Sequence, residues 1–234
     1  MATGATSRQA TDHTALAACM AAGSVRYYAA LVAHGRVVID TAERRLPLRH
    51  SHRRYAIDSP QGRLALSVPV IGSTNAMPVA LRDVIISEHD SWRDRHWGAL
   101  FSAYGKTPYF DFLADDLHRL YLTPNEPQRL LDFNLAMHRL LVEFLDLPLE
   151  TIVAGEDDGV SVPDDANVTD LRPLTAGKRR DRLPVNDVAY HQAWQHRHPF
   201  LPDLSLLDLA CNCGREAIRV LIKMTATNLS NPSR

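Results

Sequence analysis

The chain has 234 residues, of which 45% are hydrophobic and 23% charged. These are the proportions of a soluble globular chain with one full-sized domain, or two small ones at most, and they exclude disordered, collagen-like and disulfide-scaffold proteins. Lys plus Arg number 26 against 27 Asp plus Glu, a net charge of -1, which argues against a histone-like polycation and makes nucleic acid an unlikely partner. Within the basic total stand 23 Arg and only 3 Lys, at Lys106, Lys178 and Lys223. A GC-rich genome accounts for most of that bias, although the Arg fork also suits carboxylate and phosphate.

Residues 1–12 are rich in Ala, Thr and Ser and read as a flexible N-terminus, with 13–234 as a single α+β domain. The apolar stretch Ala15–Ala22 follows no positively charged segment, so it does not read as a signal peptide. No run reaches the ~20 apolar residues of a membrane helix, and a cytoplasmic location is expected. Val25, Tyr28, Ala29 and Val32 recur at helical spacing, with Gly35 as the stop. Arg36–Asp40, Arg53–Ile57, Arg63–Val70 and Val84–Ser87 are short and β-branched or alternating, and read as strands. Their connections are too short for parallel crossovers, which predicts an antiparallel or mixed N-terminal sheet packed against a helix-rich C-terminal half.

Ser91–Asp94 matches a capping box, opening a helix whose apolar stripe is Trp97, Leu100, Phe101 and Tyr104 and which stops at Gly105. A second helix follows Pro108. Thr123–Glu126 is another box, ahead of a third helix burying Leu130, Phe133, Met137, Leu140, Leu141 and Phe144. Residues 150–170 then carry seven acids and no Lys or Arg, whereas 172–182 carry four Arg and one Lys. This contrast marks an exposed charged connection at about 150–186. Leu204–Leu209 is an apolar block, and Gly214 precedes a final helix with Ile218, Leu221 and Ile222.

Three groups of residues could carry chemistry. Arg44, Arg45, Arg49, His50, His52, Arg53 and Arg54 place seven cationic or titratable side chains within eleven residues. Alternate residues of a strand face opposite ways, so one face offers two or three forks. That is either an anion site or a charged edge that blocks aggregation. His96 lies on a capped helix, offset from the apolar stripe, and reads either as a general base or as a satisfied boundary histidine. Tyr190 and Gln192 share a face if extended, and Asp208 sits inside an apolar block, where a carboxylate needs partners. No metal site is expected. His50-x-His52, His196-x-His198 and the Cys211/Cys213 pair at a helix entrance lack convergent ligand spacing. There is no Walker loop, G-x-G-x-x-G or G-x-S-x-G, and no cofactor is indicated.

The blocks L-S-V-P-V (Leu66–Val70), I-I-S-E-H-D-S-W-R-D-R-H-W (Ile85–Trp97) and S-A-Y-G-K-T-P-Y-F (Ser102–Phe110) occur in one order with Y-H-Q (Tyr190–Gln192), P-F-L-P-D-L-S-L-L-D-L (Pro199–Leu209) and N-C-G (Asn212–Gly214). In this order the chain resembles the WbqC-like protein family over about residues 25–225, in particular its shorter branch, common in Bacteroidetes. The matching positions are Arg54, Trp92, His96, Tyr104, Phe110, Tyr190, Gln192, Ser205, Asp208, Asn212 and Gly214. The resemblance implies a cytoplasmic protein of surface-polysaccharide (O-antigen-like) synthesis, acting as a transferase on an activated sugar or related anionic metabolite such as a nucleotide-sugar. In that reading His96 and Asp208 are catalytic, and Arg49, Arg53, Arg54, Tyr104, Tyr190, Gln192 and Asn212 bind substrate, with Arg54, His96 and Asp208 converging. The alternative is a noncatalytic binding protein, for a protein partner or RNA, that retains the family fold. The chain departs from the longer branch in a reduced aromatic N-terminal motif, and in a charge-split connection where a Ser-Gly block is expected before Tyr190. Oligomeric state carries no signal in the sequence.

Overall fold

The apolar stretch Ala15–Ala22, which carries no local pattern of helix or strand, lies largely in and just after a strand, β1 (Thr14–Ala18). The computed structural model describes residues 13–42, 50–71, 79–123, 128–154, 167–175 and 183–226; residues 1–12 lie outside these. Helix α1 (Val25–His34) follows, with the Ser24 hydroxyl accepting the Tyr27 N–H at 3.3 Å. It ends as expected at Gly35, whose φ of 73° puts it in the left-handed conformation that glycine adopts without steric cost. Strand β2 (Arg36–Asp40) then returns beside β1 in parallel register, from Thr14 against Arg36 to Ala18 against Asp40.

The expected α+β class holds, with both parallel and antiparallel pairing. The exclusion of parallel crossovers is corrected, because α1 is itself a crossover helix joining β1 to β2. The main sheet is four-stranded, in the order β5-β2-β1-β6, and its three pairings are all parallel. Its outer strands are β5 (Glu150–Val153) and β6 (Val168–Asp170). Both ends of the acidic part of the charge-split stretch, 150–170, are thus strands of the sheet; residues 155–166 and 176–182 lie outside the described residues. Arg172 clamps the carboxyl ends of β2 and β6 together, bonding Asp40 at 2.5 Å and Asp170 at 2.9 Å.

Between β2 and β5 the chain makes a long excursion. A single helical turn, α2 (His50–Arg53), leads into an antiparallel hairpin of β3 (Arg54–Ile57) and β4 (Leu64–Ser67). Three helices follow in the expected order: α3 (Trp92–Tyr104), α4 (Phe110–Leu122) and α5 (Leu130–Phe144). The expected Ser91 cap is absent. Asp90 and Ser91 both have positive φ, and Ser91 makes no capping hydrogen bond because that backbone turns its hydroxyl away from the helix N–H groups. Helix α5 begins only at Leu130, and Pro124–Glu126 of the second box lie outside the described residues. Arg93 anchors the start of α3 instead. It pairs with Glu88 at 2.7 Å and lies 4.6 Å from the Trp92 ring centre.

The buried stripe of α3 is Trp92, His96, Leu100, Ala103 and Tyr104, whereas Phe101 is 59% exposed. His96 is thus inside the core rather than at its margin. Its ring meets Trp92 edge-on at 5.0 Å, and its Nδ1 lies 2.9 Å from the Tyr55 hydroxyl. That hydroxyl is 2.7 Å from the hydroxyl of Tyr121. His138 on α5 stands similarly between Tyr28 on α1 (3.0 Å) and Thr151 on β5 (2.9 Å), tying helices to sheet. Two further helices, α6 (Leu206–Cys213) and α7 (Ala217–Ala226), close the described fold, with Leu221 buried and Ile222 40% exposed. Cys211 and Cys213 end α6 rather than entering it. Between these helices Gly214 (φ 53°) lies under the Tyr109 ring, where an added Cβ would fall 2.5 Å from a ring carbon. No helix among the described residues is long and apolar enough to cross a membrane.

Burial lowers both His96 and His138 from 6.5 to about 4. A depressed folded value means that the unfolded chain binds more protons between pH 4 and 6.5, so the stability from these neutral imidazoles is lost as pH falls through that window. In urea titrations, a His96→Gln variant that keeps one acceptor and one donor should lose less stability than the wild type between pH 6.5 and 4.5. An unchanged pH slope would show that His96 is not held neutral.

Candidate functional site

Helix α6 enters through Ser205, whose hydroxyl accepts the Leu207 N–H at 3.2 Å. This places Asp208 in the first turn, with its carboxylate turned into the protein and fully buried. Tyr104, at the end of α3, donates to Oδ1 at 2.8 Å, and Tyr190 donates to Oδ2 at 2.7 Å. Gln192 Nε2 makes a longer contact with Oδ2 and Asn212 Nδ2 one with Oδ1, both at 3.4 Å. Gln192 is held more firmly by Leu201, through the carbonyl and the N–H, each at 2.9 Å. Burial pushes the Asp208 carboxyl up to about 6, against the pull of the Tyr190 and Tyr104 hydroxyls.

The network extends to residues that sequence analysis does not single out. The Asp58 N–H donates to the Tyr104 hydroxyl at 3.0 Å, and the Asp58 carboxylate accepts the Trp194 N–H at 3.2 Å. Above these buried groups opens a pocket of about 620 Å³. One side is the end of α3 and the turn after it, including Phe101, Ala103, Lys106 and Thr107; the other is His191, Ala193, Trp194 and His196, with Asn212 from α6. The lining has one Lys, two His and two large aromatic rings, but no carboxylate. Asn212 is 7% exposed, and its Oδ1 has no hydrogen-bond partner.

Five of the expected site residues therefore come together: Tyr104, Tyr190, Gln192, Asp208 and Asn212. The other expected positions stand elsewhere. Arg53 is half-buried and reaches Ser67 across the hairpin at 3.4 Å, and Arg54 is exposed beside a narrow crevice lined by Met20–Ser24, Asp203 and Ser205. His96 shares no hydrogen-bond partner with Asp208 and does not line the pocket. The expected convergence of Arg54, His96 and Asp208 is corrected accordingly: the imidazole is bound into the aromatic core, and the guanidinium stays in solvent. Arg44, Arg45 and Arg49 lie outside the described residues. Lys106 was within reach of sequence analysis, being one of only 3 Lys in an Arg-rich chain; Asp58 and Trp194 carry no such mark. No group of three or more His, Cys, Asp or Glu among the described residues is placed to hold a metal ion.

The WbqC-like protein family matches the chain over residues 9–171. The matched segment contains the parallel sheet and α1–α5, and it stops before the Tyr190–Gly214 positions. No curated protein and no solved structure matches the chain.

Removing the hub tests how far this wall of the pocket depends on it. Asp208→Ala leaves the buried Tyr104 hydroxyl and the part-buried Tyr190 hydroxyl without an acceptor, the first alone at about 1–3 kcal/mol, and should lower the denaturation midpoint sharply. Asp208→Asn keeps one acceptor and should cost less. The folded Asp208 value is raised, so the wild type loses stability as pH rises from about 4 to 6. The gap between Asp208→Asn and wild type should therefore narrow over that range.

Proposed function

The chain belongs to the WbqC-like protein family, and from that premise we propose that its pocket binds an activated sugar or a related anionic metabolite such as a nucleotide-sugar. In this reading the protein is a cytoplasmic transferase-type enzyme of surface-polysaccharide, O-antigen-like synthesis. The observation that carries the proposal is the composition of the pocket. Lys106, His191 and His196 face a space of about 620 Å³ with no carboxylate among its lining residues. A cavity lined in this way attracts anions, and its size falls within the range of small-molecule sites.

The aromatic groups fit the same ligand class. Trp194 offers a face on which a sugar ring or a base can pack, and the exposed Phe101 stands at the rim. The polar group that reaches the pocket from below is Asn212, backed by Asp208 at 2.8 Å through its backbone carbonyl. Asp208 orients Asn212 and the Tyr190–Gln192 segment, and Lys106 neutralises the phosphate charge. The proton-handling role moves from His96 to the two histidines that line the pocket, His191 and His196, because only these have access to a bound ligand.

A panel of uridine, guanosine, cytidine and deoxythymidine sugar nucleotides, read by thermal shift, tests the proposal. A cognate ligand at 100 times its Kd adds about 2.7 kcal/mol of stability, a shift of roughly 5–10 °C for a chain of this size. Lys106→Ala should weaken binding about tenfold, the loss of one charge-assisted contact. Absence of any stabilisation across the panel, with and without Mg²⁺, would end the anionic-ligand reading.

A further inference from the structure

The pocket wall from His191 to His196 is a run of turns without helix or strand. Buried carboxylates hold it. At its start Tyr190 and Gln192 contact Asp208, at 2.7 and 3.4 Å. Further along, Asp58, from the turn that follows β3, accepts the Trp194 N–H at 3.2 Å through Oδ2, while its Oδ1 lies 3.0 Å from His198 Nε2. Asp58 is fully buried.

The surroundings of the His198 ring define its protonation. Nδ1 stands 3.0 Å from the Pro199 carbonyl and Nε2 stands 2.9 Å from the Ser59 carbonyl. A carbonyl oxygen can only accept, so both ring nitrogens must carry hydrogen, and a neutral imidazole has just one. Only the imidazolium form satisfies both carbonyls at once, and that form faces the Asp58 carboxylate.

We infer that Asp58 and protonated His198 are positioning residues for the pocket, their ion pair fixing the turn that presents His191, Trp194 and His196 to a ligand. The inference rests on the proposed function for its ligand but not for its geometry. Trp194 is the link: Asp58 holds its backbone, and its ring Nε1 donates to the Ala103 carbonyl at 3.2 Å, on the opposite side of the pocket. Among the other charged groups around the pair, the buried Asp208 carboxylate is raised in part by the charge of Asp58. Arg63 bonds the Pro202 and Asp203 carbonyls, and Arg197 is exposed.

The direction with pH follows. The Pro199 and Ser59 carbonyls and the Asp58 carboxylate raise His198 above its ordinary value, against the opposing pull of desolvation, and burial raises Asp58. A raised histidine contributes its full stabilisation below its unfolded value and loses it as pH rises through the folded value. Beyond that point one carbonyl faces a bare ring nitrogen and the turn loosens.

Hydrogen–deuterium exchange of residues 191–199 in the full chain tests the pair without any ligand. In the wild type, protection of this segment should fall between pH 6 and pH 9, after correction for intrinsic exchange. In His198→Gln it should be about tenfold lower at pH 6 and insensitive to pH, with β1 and α5 unchanged. Asp58→Asn should behave alike; if it fails to fold, His198→Gln decides the matter, its site being partly exposed. Pyrophosphate, measured by calorimetry at pH 6, should bind His198→Gln about tenfold more weakly than wild type. Equal protection of the segment in wild type and His198→Gln overturns the inference, as does unchanged pyrophosphate affinity in a loosened variant. Loosening in a protein whose wild type does not bind pyrophosphate leaves the positioning pair standing and counts against the anionic ligand alone.

Discussion

One buried carboxylate organises the C-terminal third of this protein. Asp208 has no exposure, and a bare carboxylate at such a place is untenable unless donors surround it. The donors come from three parts of the chain: Tyr104 at the end of α3, Tyr190 and Gln192 in the loop before α6, and Asn212 on α6 itself. Satisfying one charge therefore fixes the relative placement of these segments, and the pocket lies where they meet. The helix dipole at the start of α6 assists, but desolvation outweighs it and the hydroxyls together, which is why the acid remains above its ordinary range.

Much of the helical half was legible in the residues. The 3.6-residue periodicity of α3, α4 and α5, the Gly35 stop and the Gly105 stop all follow from local patterns that act within a few residues. The parallel sheet was not legible, for a physical reason. β1 is Thr-Ala-Leu-Ala-Ala, buried on both faces from Ala15 onward, so it shows no alternation and only one β-branched residue, Thr14. β5 and β6 are short strands of four and three residues whose neighbours are acidic, and their place beside β2 and β1 is fixed by partners far away in the chain. The Ser91 box failed because a Ser or Thr caps a helix only with extended backbone, and Ser91 is left-handed.

The site divides in the same way. Asp208, Tyr104, Tyr190, Gln192 and Asn212 stood out because polar residues inside apolar blocks must find one another. His96 stood out for the same reason, but its partners are Tyr55 and the aromatic core. A buried polar residue thus announces that it has partners without saying whether they line a cavity. The Arg excess was a poorer guide: Arg53 ends α2 and Arg54 opens the hairpin, while the cation at the pocket is a lysine.

The excursion between β2 and β5 has a consequence for how the chain assembles. Arg36 and Glu150 are ion-paired neighbours 114 residues apart. During synthesis β1, α1 and β2 emerge first and can pair at once, but the outer edge of β2 stays open until more than a hundred further residues have left the ribosome. Through that interval Val37–Ile39 present unpaired peptide groups to any strand nearby, including those of other nascent chains. The hairpin and α3–α5 lie between β2 and β5 in the chain, so all of them must be synthesised before β5 can reach the waiting edge. The β2–β5 pairing is then a closure of high contact order, made across the whole excursion.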